Sequence, residues 1–424
     1  MNGVLRVTLA GVLQAAIVIV ANAEDWPQWQ GAIRDGKSNE MGLLTSWDEG
    51  GPPRQWLYQD CGYGFGGPAI VGDRLYIMGT RHGEEFLFCL DTETGSELFK
   101  TKIGALYEND WGDGPRGTPT VVDGKIYALA ARGNLACVNA STGEEIWSTS
   151  LLDIGGKIPE WGYAESPLVL EDRVLCTPGG SDGAIVALDR ANGQVIWRCE
   201  DLSEEAHYSS LVLAEDGGRR IAVQLLASQL VGVDPEHGEL LWSLPWGGTV
   251  AVVPTPTVRG KEVYASSGYG AGCMLIRLNG SAEPEVIFSN KLMSNHHGGI
   301  IRLDDYVYGY ADGKGWLCQS CANGKRVWRE REAFGKGAIS YADGHFYCLS
   351  EDDGEVALVE PSPDGWEERG RFRLSPQTEL RKPEGKIWTH PVIANGRLYL
   401  RDLEYVFCYD IQDKTRSSIK ADGP

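Results

Sequence analysis

Four of the seven histidines of this chain fall in short stretches rich in glycine and aromatic residues. His207 is in "EEAHYS" (204–209), His296 and His297 are in "MSNHHGG" (293–299), and His390 follows Trp388 in "IWTH" (387–390). Related stretches are "ENDWGDGPRG" (108–117), with Asp110, Trp111 and Arg116, and "IPEWGYAE" (158–165), with Trp161 and Glu165. "CGYGFG" (61–66), "WGGTVAVVP" (246–254) and "FGKG" (334–337), with Lys336, complete the set. Imidazoles exchange protons near neutrality. Arg116 and Lys336 bring fixed positive charge, and indoles offer flat faces for stacking. Brought together, these groups suit a carboxylate-bearing or polyhydroxylated ligand.

The same residues are poor candidates for catalysis or metal binding by spacing alone. There is no nucleophile elbow, phosphate-binding glycine loop or HExxH, so no catalytic residue is assigned. Adjacent residues of a strand face opposite sides, so His296 and His297 are not expected to chelate one ion. If one points inward, His207 or His390 could join it; polar channel-lining histidines are the expectation, and no metal site is assigned. Glu165 and Asp110 could offer oxygens to Ca²⁺, with a solvated rim as the alternative. "CQSC" (318–321) has CxxC spacing, but no second pair follows it.

What must position these stretches is a repeat. "ALDRANGQVIW" (187–197) recurs as "CLDTETGSELF" (89–99), "CVNASTGEEIW" (137–147), "GVDPEHGELLW" (232–242) and "CQSCANGKRVW" (318–328). The first residue is small, the seventh is Gly and the eleventh is aromatic. Asp189 can accept bonds from the amides ahead of it, and Gly193 supplies positive φ, which makes the phrase a hairpin. The aromatic staples one sheet to the next. Each phrase lies in a longer unit with an early apolar segment, anchored at Pro68, Pro119, Pro167, Ser210, Pro256, Gly299, Ala338 and Pro391, at intervals of 39–53 residues. Eight such units, each reading as four short strands with the aromatic ending the fourth, predict one eight-bladed all-β propeller. Units five and seven carry degenerate phrases. The eighth unit has three strands, and "RQWLYQD" with Trp56 is expected to supply the fourth and close the ring. The expected organisation is a signal peptide (1–23), an N-terminal arm (24–55), the propeller (56–412) and a polar tail (413–424). First strands line the axis of a propeller, so the stretches preceding them converge on one axial funnel. A wet channel without a ligand is the bland alternative.

Composition narrows the function. The formal net charge is −20 with no basic stripe, which excludes nucleic acid and polybasic membrane docking. One positive charge, an apolar run through Val20 and "ANA" ending at Ala23 describe an export signal, so a periplasmic or secreted, monomeric protein is expected, without a transmembrane segment after cleavage. Of the ten cysteines, Cys89, Cys137, Cys318 and Cys408 fill the small slot of the phrase and read as packing residues. Some of the remainder could pair.

The repeated phrases resemble the tryptophan-docking repeats of quinoprotein propellers, named for pyrroloquinoline quinone (PQQ). "DWPQWQGAIRDG" and "GLLTSWDEGGPPRQW" resemble secreted PQQ-like repeat proteins of planctomycete-type bacteria. The resemblance spans residues 25–410 and implies the fold more than an activity. The architecture includes PQQ-dependent alcohol dehydrogenases, which imply PQQ with Ca²⁺, and the non-enzymatic assembly factor of the outer-membrane β-barrel machinery. The dehydrogenases carry a vicinal Cys-Cys pair that this chain lacks. The expectation is a binding or scaffold module for a protein or glycan of the cell envelope. A PQQ-dependent dehydrogenase of alcohols or sugars is the alternative.

Overall fold

Alternating apolar and polar residues within each unit give strands with one face for each neighbouring sheet, and eight sheets result. The computed structural model describes residues 24–280 and 282–415. The expected signal peptide, and the polar tail beyond 415, lie outside the described residues. The sheets are blades of antiparallel strands over residues 69–105, 120–150, 168–198, 212–245, 257–290, 300–330, 337–373 and 392–410. Units five and seven form full blades despite their degenerate phrases. The eighth blade takes its outer strand from Arg54–Tyr58, with Trp56 opposite Cys408, so the ring closes as expected.

The repeated phrase is a joint between blades. Its small residue stands opposite its aromatic: Cys89 faces Phe99, Cys137 faces Trp147, Ala187 faces Trp197 and Cys318 faces Trp328. At Gly232 a methyl group would lie 2.2 Å from the Trp242 ring, so that copy requires glycine. At five joints the aromatic then covers the phrase glycine of the next blade. A methyl on Gly193 would lie 2.5 Å from Trp147. The Trp147 indole N–H donates to Arg190 O (3.1 Å), Trp56 to Thr92 O (2.8 Å) and Trp197 to Pro235 O (3.2 Å). Asp189 caps its turn by accepting from Ala191 N (2.7 Å) and Asn192 N (3.3 Å). The aromatic lies within the fourth strand and not at its end, because it must stand opposite the small residue and reach the neighbouring turn at once.

The N-terminal arm is more than a lead-in. Trp26 bridges to Ile70 of the first blade, and Val121 N of the second donates to Pro27 O (2.8 Å). Arg34 then enters the axis and is buried there. Its guanidinium donates to Ser166 O (3.0 Å), Pro167 O (2.5 Å) and Leu211 O (2.7 Å), carbonyls of the third and fourth units. Lys37–Ser38 next adds a parallel strand to Tyr341 and Ala342 of the seventh blade. The arm therefore crosses the inner side of the ring, joining its first, second, third, fourth and seventh units. Nothing in the repeat pattern signals this, because the arm is not a repeat. All ten cysteines are buried and free, so the pairing allowed for some of them does not occur. Burial pushes the Cys176 and Cys348 thiols well up, as expected of packing residues.

Candidate functional site

Residues entering the first strands are small and hydroxylated, which lets adjacent blades meet closely at the axis. Thr118 N donates to Ser166 Oγ (3.0 Å), Ser166 N to Ser210 Oγ (3.0 Å) and Ser210 N to Thr255 Oγ1 (3.3 Å). This hydroxyl girdle ties four units together. Trp29 of the arm joins it by donating its indole N–H to Thr255 Oγ1 (2.9 Å). A cavity of about 160 Å³ opens beside it.

Seven of the ten expected site residues line this cavity: Trp111, Arg116, Trp161, His296, His297, Trp388 and His390. Their rings form a belt. Tyr269 meets His296 edge-on at 4.7 Å, His296 lies 3.6 Å from His297, His297 lies 4.9 Å from Trp388, and Trp388 lies 5.1 Å from Phe65. His296 and His297 share one side of the funnel because their segment is not a strand, so the alternation expected of them does not apply. Asn295 pins that segment by donating to Gly299 O (2.8 Å) and Tyr310 O (2.9 Å). Gly299 has φ +71, and a methyl there would strike His390 at 2.7 Å. The loop bearing Trp111 and Arg116 is held by Lys382, which donates to Asp113 Oδ1 (2.7 Å) and Asn109 O (3.0 Å).

Glu165, His207 and Lys336 stand behind the wall. Glu165 is buried and accepts from Thr177 N (2.6 Å) and Thr177 Oγ1 (3.1 Å); burial raises its carboxyl to about 7. His207 Nδ1 accepts from Val252 N (3.3 Å), and its ring braces Tyr208, which does line the cavity. Lys336 pairs with Asp312 (3.0 Å) and Glu351 (3.6 Å) and donates to His296 Nδ1 (3.1 Å). Trp29 and Tyr269 were not expected in the wall. Trp29 lies in the non-repeating arm. Tyr269 sits on a hairpin at positive φ (+52), signalled in sequence only by its flanking glycines in "SGYGAG".

The electrostatics differ from a cluster of histidines titrating near neutrality. Burial, then the Lys336 charge, lowers His296 to about 4, and burial lowers His390 to about 4. Burial also takes His297 well below its ordinary value. All three are neutral at pH 7. Lys336 can only donate, so His296 Nδ1 is the acceptor and its proton sits on Nε2. That Nε2–H is buried in the wall and has no partner among the described residues. His390 Nε2–H is used on His297 O (2.8 Å). Arg116 is the cation of the wall. Burial lowers it to about 10, so it stays charged, but it donates to Gly112 O (2.7 Å) and Gly114 O and lies over Phe65 and Tyr107. The fixed positive charge expected of Lys336 is cancelled by its two carboxylates.

Eight four-stranded blades, with aromatic–glycine contacts at five of the joints between them, define a PQQ-like β-propeller. A family profile described as outer membrane protein assembly factor BamB matches residues 105–330, just over half of the chain. The chain belongs to that family. It is 24% identical over 309 residues to the BamB of Burkholderia pseudomallei (strain K96243), covering 68% of this chain and 74% of that one. It is 27% identical over 186 residues to the dehydrogenase subunit of the quinone alcohol dehydrogenase of Gluconobacter oxydans (strain 621H), covering 42% of this chain and 21% of that one. This chain spans between a fifth and a third of the length of the first curated relatives it matches. Among solved structures, BamB from Moraxella catarrhalis aligns with a TM-score of 0.61 at 15% identity over 85% of this chain and 99% of that one. The quinohemoprotein alcohol dehydrogenase of Comamonas testosteroni aligns with a TM-score of 0.63 at 12% identity over 95% and 82%. At those identities the structures share the fold alone.

The residues present fit PQQ poorly. PQQ is a fused tricyclic quinone with three carboxylates, and the wall opposes them with one guanidinium already bonded to two carbonyls. Among the described residues no carboxylate lines the cavity to hold a Ca²⁺ beside it. Among the described residues, no three His, Cys, Asp or Glu side chains group as metal ligands.

Proposed function

We propose that this chain is an exported propeller module whose axial funnel binds one neutral ring of a glycan. The observation that carries this reading is the ring belt with a buried, unpartnered His296 Nε2–H in its wall. Aromatic faces suit the C–H face of a pyranose. An N–H donor suits a hydroxyl or ring oxygen, and a buried donor left unsatisfied costs about 1–3 kcal/mol, which a ligand oxygen recovers when the His296 ring turns to meet it. The cavity is below the roughly 300–1,000 Å³ of a site for a whole drug-sized molecule. At about 160 Å³ it suits one ring with the rest of a chain outside. Export is supported by the apolar N-terminus ending in "ANA".

Indole fluorescence titrated with cellotetraose, xylotetraose, chitotetraose and mannotetraose tests the reading, with PQQ plus Ca²⁺ in parallel. The expected result is saturable quenching by at least one neutral tetrasaccharide, lost in Trp388→Ala. Quenching by PQQ alone, with alcohol-dependent dye reduction, would replace this reading by the dehydrogenase.

A second reading, a scaffold for a protein of the envelope, is supported by family membership and by the blade rims. Leu98, Ile146, Ile196 and Val327, each just before an inter-blade aromatic, are 41–48% exposed. Exposed aliphatic residues serve a partner where they form a continuous patch. Capture of the same envelope protein by wild type, lost on Ile146→Glu with Ile196→Glu, would favour it.

A further inference from the structure

The base of the arm holds two carboxylates and no cation. Glu24 N lies 3.0 Å from Glu40 Oε1, and Glu40 Oε2 accepts from Gly396 N (2.5 Å) in the eighth blade. Glu40 is 3% exposed. The Glu24 carboxylate takes Asn39 N (2.5 Å) and Asn39 Nδ2 (2.8 Å) from the opposite side of the same loop. The two ends of the arm segment that carries Trp29 and Arg34 therefore meet at Glu24 and Glu40. Among the described residues neither carboxylate forms an ion pair. The titratable side chains facing Glu40 are Glu24 on the arm and Tyr347 on the seventh blade, and neither can be positive. A buried carboxylate without a counter-charge is costly. Burial, with the Glu24 charge beside it, pushes Glu40 above its ordinary range.

Glu24 is also the residue that follows "ANA", where the sequence places the signal cut. We propose that removal of residues 1–23 turns Glu24 N into the missing cation, an α-ammonium whose salt bridge to Glu40 locks the arm in the processed chain. An export peptidase adds water across the Ala23–Glu24 bond. The Ala23 carbonyl takes the oxygen of the water and leaves as a carboxylate with the leader, and the Glu24 nitrogen takes both hydrogens as protons. Before the cut that nitrogen is a neutral amide with one N–H. Afterwards it offers a full charge and three donors at the same place, within reach of Glu40 Oε1 and of its own side-chain carboxylate. A local change of charge is a known way to switch packing. Here the switch clasps the loop that supplies Trp29 to the cavity and Arg34 to the axis, so the processed form holds the more rigid funnel.

The test compares three chains: one beginning with a free Glu24 amine, the same chain acetylated at that amine, and one that keeps Ala23. Amino-terminal sequencing of the exported protein should read Glu24-Asp25-Trp26. The free-amine chain should melt about 2–4 °C above the other two at pH 7. The locked amine titrates above its ordinary value of about 7.7–8.0. Its contribution is therefore full below about pH 8 and lost as pH rises through the raised value. It is lost again in acid as Glu40 takes up a proton. Glu40→Gln should make the three chains melt alike. Equal melting of the free and acetylated chains, or a mature start at any other residue, would overturn the proposal. If Glu40→Gln does not fold, the acetylation comparison alone decides.

Discussion

Lys336 Nζ lies 3.1 Å from His296 Nδ1, and that contact decides which imidazole nitrogen carries the proton. An ammonium cannot accept, so the proton of neutral His296 is confined to Nε2. Asp312 and Glu351 hold the ammonium in turn. Replacing Lys336 by Met should keep the fold but release the tautomer. We expect weaker binding of whichever tetrasaccharide the wild type takes, by about tenfold. Chemical shifts of the His296 ring nitrogens should show mixed tautomers, and unchanged shifts would show that Lys336 does not set the proton.

Arg34 should be the keystone of the axis. Arg34→Ala leaves buried carbonyls of Ser166, Pro167 and Leu211 without their donor, at about 1–3 kcal/mol each. The expected loss is above about 3 kcal/mol by denaturant unfolding. Lysine should not rescue it, because an ammonium cannot reproduce the guanidinium fork. Full rescue by Arg34→Lys would make charge, not geometry, the cause.

Ring closure depends on Arg54–Tyr58 pairing with Tyr405–Asp410. Deleting residues 24–60 removes both the arm and the closing strand and bares a sheet edge. Aggregation, read by light scattering, is the expected outcome. A soluble chain with unchanged melting temperature would contradict the closure.

Each inter-blade aromatic should matter locally. Trp147→Ala empties the joint onto Gly193 and should cost about 3–5 kcal/mol. Gly193→Ala should be as harmful, since the methyl would lie 2.5 Å from that ring at φ +74. A tolerated Gly193→Ala would mean that the indole moves aside freely.

His390 should make stability pH-dependent in one direction. Its value falls from 6.5 to about 4 on folding, because burial opposes its charge. Between those values the unfolded chain binds more protons. The contribution is full above about pH 6.5 and fades as pH falls toward 4. Glu165 runs oppositely: raised from 4.5 to about 7, it favours the fold most at low pH and loses that contribution as pH rises through 7. His390→Gln should therefore flatten the decline of melting temperature between pH 6.5 and 4. An unchanged slope would place that decline elsewhere.

Much of the architecture is local and therefore legible in the chain. The phrase from Ala187 to Trp197 encodes a capped turn, a small slot and an aromatic. Repetition of one joint dictates a ring, and the missing strand of the last unit points to Trp56. The convergence of Trp111, Arg116, Trp161, His296, His297, Trp388 and His390 follows from the same topology, since each precedes an axial strand. What only the tertiary structure decided is which way those side chains face and what charge they carry. Glu165 turns to Thr177, Lys336 is spent on Asp312 and Glu351, and the histidines lose their ordinary basicity by burial. Those outcomes depend on contacts between residues far apart in sequence, where desolvation and pairing compete and no periodicity records the winner. The arm is the extreme case. Arg34 finds its carbonyls more than 130 positions away, so only the closed ring creates the place that it fills.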